Sequence, residues 1–187
     1  MVTTRQPKTG SVGAWRCPAC DVPLDIRLGE VATACPQCGK GFHLVIGALR
    51  PVEIEFVLSE LQSGITLPRP FWALLSEMPL SLCAAWGADL VRPWFNIYVP
   101  AYTLPREQAV AIGTQLTHWQ PHYSPGPRGE LRGCTLTQQQ AFALADLIYL
   151  GLLDLVMPRA QQISPERPIL LSTKIIVIPT SEGKEPA

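Results

Sequence analysis

An excess of charge of either sign is the first thing this sequence lacks. Fifteen Lys and Arg balance fifteen Asp and Glu. A protein that lives mainly on phosphate contacts carries a basic surplus, so the balance argues against nucleic acid as the principal partner. No run of about eighteen apolar residues occurs without a charge, and no membrane-spanning helix is expected. The nearest approach, residues 141–157, is interrupted by Asp146 and Asp154. The first residues contain neither an apolar signal run nor an arginine-rich amphipathic pattern, so neither export nor a transit peptide is expected. Catalytic motifs are absent too: no Gly-x-Ser-x-Gly elbow, P-loop, Gly-x-Gly-x-x-Gly or His-Glu-x-x-His occurs. Gly126-Pro127-Arg128-Gly129 reads as a turn, because its proline removes an amide that a phosphate cradle needs. Histidine is scarce, with only His43, His118 and His122. The last two stand four residues apart, but Pro121 breaks any helix between them, so a second metal site with Cys134 is not expected. Asp146 and Asp154 lie about 12 Å apart along a helix, too far for a paired carboxylate site. Cys83, among apolar neighbours, reads as a small buried hydrophobe. Together these absences make an enzyme the less expected class.

What is present is Cys17-Pro18-Ala19-Cys20, followed after fourteen residues by Cys35-Pro36-Gln37-Cys38. Two Cys-x-x-Cys hooks at that separation can close four thiolates around one tetrahedral ion, because each two-residue spacer aims both sulfurs at a common point. Pro18 and Pro36 hold the same place in each hook, so the halves read as copies of one knuckle. Gly39 suits a tight, left-handed turn behind the last sulfur. Residues 24–28 alternate apolar and polar side chains as a strand, Gly29-Glu30 turns, and 31–34 and 42–46 supply two more strands. Disulfides would require an oxidising compartment. A redox dithiol would require a helix start behind one pair, and no helical pattern follows either. Iron uses the same four ligands, so the ion stays open at this point, with one structural Zn²⁺ the expectation. His43 reads as a strand residue outside the ligand set.

The stretches Trp15-Arg16-Cys17-Pro18-Ala19-Cys20 and Ala34-Cys35-Pro36-Gln37-Cys38-Gly39-Lys40-Gly41-Phe42 resemble the zinc-ribbon superfamily over residues 13–47. The resemblance implies a small antiparallel ribbon with Cys17, Cys20, Cys35 and Cys38 as zinc ligands. Ribbons serve transcription factors, ribosomal proteins, topoisomerases, enzymes and assembly factors, so it implies a cofactor more firmly than a task. Farther on, Pro70-Phe71-Trp72 and Tyr98-Val99-Pro100-Ala101-Tyr102 loosely resemble uncharacterised bacterial proteins that join a zinc ribbon to an α+β body.

Nineteen prolines divide the rest into short pieces. Residues 1–12 read as a flexible leader, 13–50 as the ribbon, 51–179 as a mixed α+β domain and 180–187 as a flexible tail. Residues 51–63 fit both periods. Pro51 at a first turn, early glutamates and Gly64 tip the reading towards a helix. Residues 67–105 concentrate the aromatics; such clusters are mostly core, and the alternative is a binding surface. Within them, 82–88 reads as a short helix or strand and 94–99 as a strand. A helix over 105–119 places Ala109, Ile112, Leu116 and Trp119 on one face. After a Gly/Pro loop, 124–133, a helix from Gln138 to about Asp154 is announced by Thr137 and Gln140 at capping-box spacing. It is apolar around nearly its whole circumference, which places it centrally in the core or against a partner. Residues 168–179 carry the β-branched run of a buried strand.

The expected fold class is therefore α+β, a small antiparallel ribbon followed by a mixed domain. The expected function is a non-catalytic zinc-binding protein whose ribbon and body mediate protein–protein interaction or assembly, in the cytoplasm, where thiols stay reduced. A nucleic-acid alternative uses Arg16, Arg27, Lys40 and His43 on phosphates with Trp15 or Phe42 stacking. Charge leaves it some room. Residues 1–50 hold six basic residues (Arg5, Lys8, Arg16, Arg27, Lys40, Arg50) against three acids (Asp21, Asp25, Glu30), a local +3. Residues 51–100 hold Arg69 and Arg92 against Glu53, Glu55, Glu60, Glu77 and Asp89, a local −3. An enzyme alternative places a pocket under Trp72, Trp94 and Tyr98.

Overall fold

A computed structural model describes residues 15–58, 66–86, 93–157 and 166–181; the expected leader and most of the expected tail lie outside them. In chain order the elements are β1 (Trp15–Arg16), β2 (Pro23–Leu24), β3 (Ala32–Ala34), β4 (Gly41–Val45), β5 (Ala48–Val52), β6 (Ile54–Leu58) and β7 (Thr66–Glu77). There follow α1 (Leu80–Trp86), β8 (Trp94–Pro100), α2 (Arg106–Trp119), β9 (Ser124–Pro125), α3 (Gln138–Val156) and β10 (Ile169–Ser181). Strands and helices are both substantial, in keeping with α+β.

The cysteine-bearing segment builds a two-stranded ladder, β1-β2, and a three-stranded antiparallel sheet, β3-β4-β5. Only Pro23 and Leu24 form the strand read over 24–28. The helix favoured over 51–63 does not form across its described part: Ala48–Val52 and Ile54–Leu58 are strands. The alternation of Val52, Ile54 and Phe56 with Glu53 and Glu55 wins because both flanks of this segment find strand partners. β5 pairs with β4, and β6 pairs with β10.

The main sheet has the order β8-β7-β10-β6-β9. Its backbone is the antiparallel β7–β10 pair, in register from Ile169↔Glu77 to Ser181↔Thr66 with an irregularity between Leu170 and Ser172. β7 carries Pro68 and Pro70, which normally argue against a strand. Pro70 accepts a bond from Ala101 N through its carbonyl, so its missing N–H, like that of Pro68, faces the β8 side at and beyond the end of the β8 ladder. Pro179 follows the same logic in β10. Ile175 N donates to Glu53 O towards β6, and the paired stretch with β6 ends at Val177, two residues before the proline.

The β8 edge is blunted by side chains. Thr117 Oγ1 accepts Tyr98 N (3.0 Å), while Gln120 Oε1 accepts Asn96 N (3.0 Å) and its Nε2 donates to Asn96 O (2.7 Å). Strand donors left open would template pairing with another chain. Gln120 reaches them from the left-handed C-cap of α2, at φ 45°. The face α2 buries is Ala109, Gly113, Thr114 and Thr117. Ile112 and Leu116 are only partly covered and Trp119 is 58% exposed, which departs from the apolar stripe read from sequence. Small and hydroxylated residues win because α2 crosses α3 closely: a Cβ at Gly113 would lie 2.3 Å from Ile148 Cδ1 and 2.7 Å from Tyr98 O.

α3 starts at the expected capping box, with Thr137 accepting Gln140 N and Gln140 accepting Thr137 N. By length and composition it is long and apolar enough to cross a membrane, with a mean hydropathy of 1.3. Ala141, Ala145, Ile148, Tyr149, Leu152 and Leu153 are nevertheless buried inside the protein. They join Trp72, Leu74, Ile97, Val99, Ile175 and Val177 in one core, which also takes in Ala32 of the cysteine segment. A second core on the other parity of the strands holds Phe71, Ala73, Tyr98, Ile176 and Ile178.

Gly113→Ala is expected to destabilise the protein by about 1–3 kcal/mol, because the Tyr98 carbonyl cannot recede without disturbing β8 and the Ile148 side chain would have to leave its place between α2 and α3. Denaturant unfolding followed by far-UV circular dichroism measures the loss.

Candidate metal centre

Each knuckle closes by the same backbone pattern. Cys17 N donates to Val22 O (2.9 Å) and Asp21 N to Cys17 O (2.8 Å); the second copy repeats this over the same six-residue span, Cys35 N to Lys40 O (2.8 Å) and Gly39 N to Cys35 O (2.9 Å). The fourth residue after each leading cysteine is left-handed, Asp21 at φ 61° and Gly39 at φ 72°. Asp tolerates that region better than most residues, which is why the first knuckle works without a glycine. Asp21 was not singled out from sequence, although its offset from Cys17 equals that of Gly39 from Cys35. Arg16 donates to both the Asp21 carbonyl (2.6 Å) and its carboxylate (3.0 Å), holding this turn from outside.

The turns converge four sulfurs. The ligand atoms of Cys17, Cys20, Cys35 and Cys38 all lie within 4.8 Å of one another, with Cys17 Sγ to Cys38 Sγ at 3.6 Å and Cys20 Sγ to Cys35 Sγ at 3.5 Å. A tetrahedron with metal–sulfur distances near 2.3 Å has edges of roughly 3.8 Å, so the set fits Zn²⁺. None of the four is in a disulfide. Amides add polarity: Ala19 N approaches Cys17 Sγ (3.4 Å) and Cys38 N approaches Cys35 Sγ (3.5 Å).

Packing the thiols together drives Cys20 and Cys35 apart in acidity. Burial pushes Cys35 up, but the amides of Cys38 and Gln37 with the neighbouring thiols outweigh it and bring this thiol down to about 6. The Val22 backbone draws Cys20 down, yet burial and the surrounding thiols push it up to about 12. One sulfur ionises readily and another resists joining it, as expected where negative charge accumulates around a point that a divalent cation would neutralise.

The other sequence candidates scatter. Trp15 and Phe42 pack in the small core around Cys17, Leu24, Ile26 and Cys35. Phe42 is buried and has no face open to a base, whereas Trp15 is only partly covered, with its indole Nε1 buried without a hydrogen-bond partner. Arg27 and Lys40 are exposed. His43 lies on β4, edge-on to Trp72 at 5.9 Å, and burial lowers its pKa. Trp72 and Tyr98 are interior, whereas Trp94 is 59% exposed; these three do not form one surface. Cys83 and Cys134 are buried singly, and among the described residues no metal-ligand group includes Cys134, His118 or His122.

A cleft of about 430 Å³ adjoins the centre between the cysteine segment and the body, lined among others by Asp25, Cys35, Gly39, Phe56, Arg128 and Arg132. The Arg128 guanidinium lies on Gly39 so closely that a Cβ there would meet it at 2.8 Å. Arg132 bonds Asp25 at 2.8 Å and also pairs with Glu130, while Gly133 N donates to Glu30 Oε1 (2.7 Å) and Val31 N to Cys134 O (2.7 Å). A smaller cavity of about 230 Å³ lies between α3 and β10. Neither cavity is lined by Trp72, Trp94 or Tyr98. Comparison with protein-family models, curated proteins and solved structures found no match for this chain.

Metal uptake near pH 7 is expected to release fewer than four protons, since Cys35 is already largely ionised while Cys20 must still lose its proton. Affinity should fall as pH drops towards 6, because protons then compete for the Cys35 sulfur as well. Calorimetric zinc titrations in buffers of different ionisation enthalpy read both effects.

Proposed function

We propose that this protein is a non-catalytic zinc-binding protein. One structural Zn²⁺ staples the two knuckles as a zinc ribbon, and the ribbon and α+β body together offer a surface to a protein partner or to a second copy. The observation that carries the reading is the convergence of four unoxidised thiols within 4.8 Å. A four-thiolate site is closed and leaves no coordination position for a substrate, which favours a structural over a catalytic metal. The hydrogen bonds and ion pairs from residues 25–31 to 132–134 support a coupled unit in which the ion steadies the body as well as the knuckles. Reduced thiols suit the cytoplasm as its compartment.

Native mass spectrometry with and without a chelator tests this reading. One zinc per chain with a retained partner or a dimer, both lost in Cys35→Ser, is the expected result; a metal-free or iron-bearing monomer overturns it. Because the cores are shared, chelation should also lower the thermal midpoint of the whole chain by several degrees, consistent with a loss of a few kcal/mol.

A further inference from the structure

Each knuckle carries an arginine on the turn behind it, and the two arginines are not equivalent. Asp21 and Gly39 hold the same offset from Cys17 and Cys35 and share the left-handed backbone. On the first turn lies Arg16, a local residue whose charge is taken up by the Asp21 carboxylate at 3.0 Å. On the second lies Arg128, which comes from the body. A Cβ on Gly39 would meet its Nη1, Cζ and Nε at 2.8, 3.0 and 3.1 Å, so the guanidinium lies across the glycine. The left-handed backbone alone would admit Asn or Asp, as it does at Asp21; with Arg128 in place only glycine fits.

The loop that carries Arg128 is held from behind. Gly126 N donates to Phe56 O (2.7 Å), and Ser124 and Pro125 pair with Leu58 and Val57. Gly129 lies against the Phe56 ring, where a Cβ would come within 3.3 Å. Strand β6 thereby sets where the guanidinium can reach.

Charge gives that placement a consequence. Among the described residues no carboxylate pairs with Arg128. Arg132, on the same cleft, is occupied by Asp25, Glu30 and Glu130. Arg128 and Cys35 line that cleft together, and Gly39 adjoins Cys38 in the chain. Lys40 is exposed but does not line the cleft. Four thiolates around a divalent ion carry surplus negative charge. We infer that Arg128 supplies the counter-charge of the metal centre from the cleft side and slows departure of the ion, an inference that rests on reading the four sulfurs as a zinc site. The body thus holds the second knuckle's ion with a cation that the cysteine segment does not itself provide.

Zinc loss to excess pyridylazoresorcinol, followed by absorbance on the full zinc-loaded chain, tests the inference. Arg128→Gln is expected to release the ion about tenfold faster than the native chain, the size of effect that a lost outer partner has at metal sites. Arg128→Lys keeps the charge and should stay within about threefold of native even though the planar fork is gone. Lys40→Gln removes the same charge outside the cleft and should also stay within about threefold. Because Arg128 is exposed, the native rate should approach that of Arg128→Gln in about 0.5 M salt, where screening lengths shrink to a few ångströms. In the cobalt-loaded chain, Arg128→Gln should move the sulfur-to-metal charge-transfer bands to lower energy, a signature that lost packing alone does not produce. An Arg128→Gln chain that loses zinc at the native rate overturns the inference. So does an Arg128→Lys chain that behaves like Arg128→Gln while the cobalt bands stay in place, which makes Arg128 a packing residue. A native chain that takes up neither zinc nor cobalt overturns the reading of the metal centre and this inference with it, whereas native uptake with indifferent variants overturns this inference alone.

Discussion

Strand β10 is the constraint on which the rest of the structure depends. It lies antiparallel to β7 along its length and parallel to β6 through Ile175–Val177. β6 follows directly on β5, the last strand of the cysteine segment. A strand near the C-terminus thereby ties the first third of the chain to the α+β body. Ile175 to Ile178 are buried and alternate between the two cores. Removing apolar surface from water on both sides is what makes this central position favourable for so β-branched a strand. The β10 pairings join residues 92 (Ile169↔Glu77) to 121 (Ile175↔Ile54) positions apart in sequence, and loop closure on that scale is offset only when the sheet is complete.

Around that strand, the cysteine segment is joined to the body by specific polar contacts as well as by packing. Glu30 accepts from Gly133, Arg132 bonds Asp25, Val31 donates to Cys134, and Ala32 enters the main core. An ion at the four sulfurs would act through these contacts. The same coupling explains why Arg128, from a loop distant in sequence, lies on the turn after the last cysteine. A cation close to a tetrathiolate opposes its net negative charge.

How much was legible in sequence follows the range of the interaction that decides each feature. The knuckles were legible because their chemistry sits within a few residues: spacing, proline and Gly39 all act locally. The α3 start was legible for the same reason, since Thr137 and Gln140 satisfy each other across one turn. Residues 48–58 were not, because their helical and strand periodicities are nearly balanced and only partners far along the chain break the tie. β7 was hidden by Pro68 and Pro70, whose missing donors matter only once one knows which way they face. The buried face of α2 misled for a related reason: Gly113, Thr114 and Thr117 look unremarkable until α3 and β8 approach them.

By itself the sequence determined the four-thiol set, the knuckle turns, the capped start of α3 and the apolar runs that had to be hidden, since each depends on side-chain chemistry at short separation. The tertiary structure alone decided that Trp72 and Tyr98 are interior while Trp94 is outside, that 48–58 is extended, and that the turns bearing Leu28 and Ile46 emerge at one end of the β3-β4-β5 sheet. Those outcomes are set by strand register and by which element covers which face. Both are collective properties of pairings between distant segments, and no local pattern encodes them.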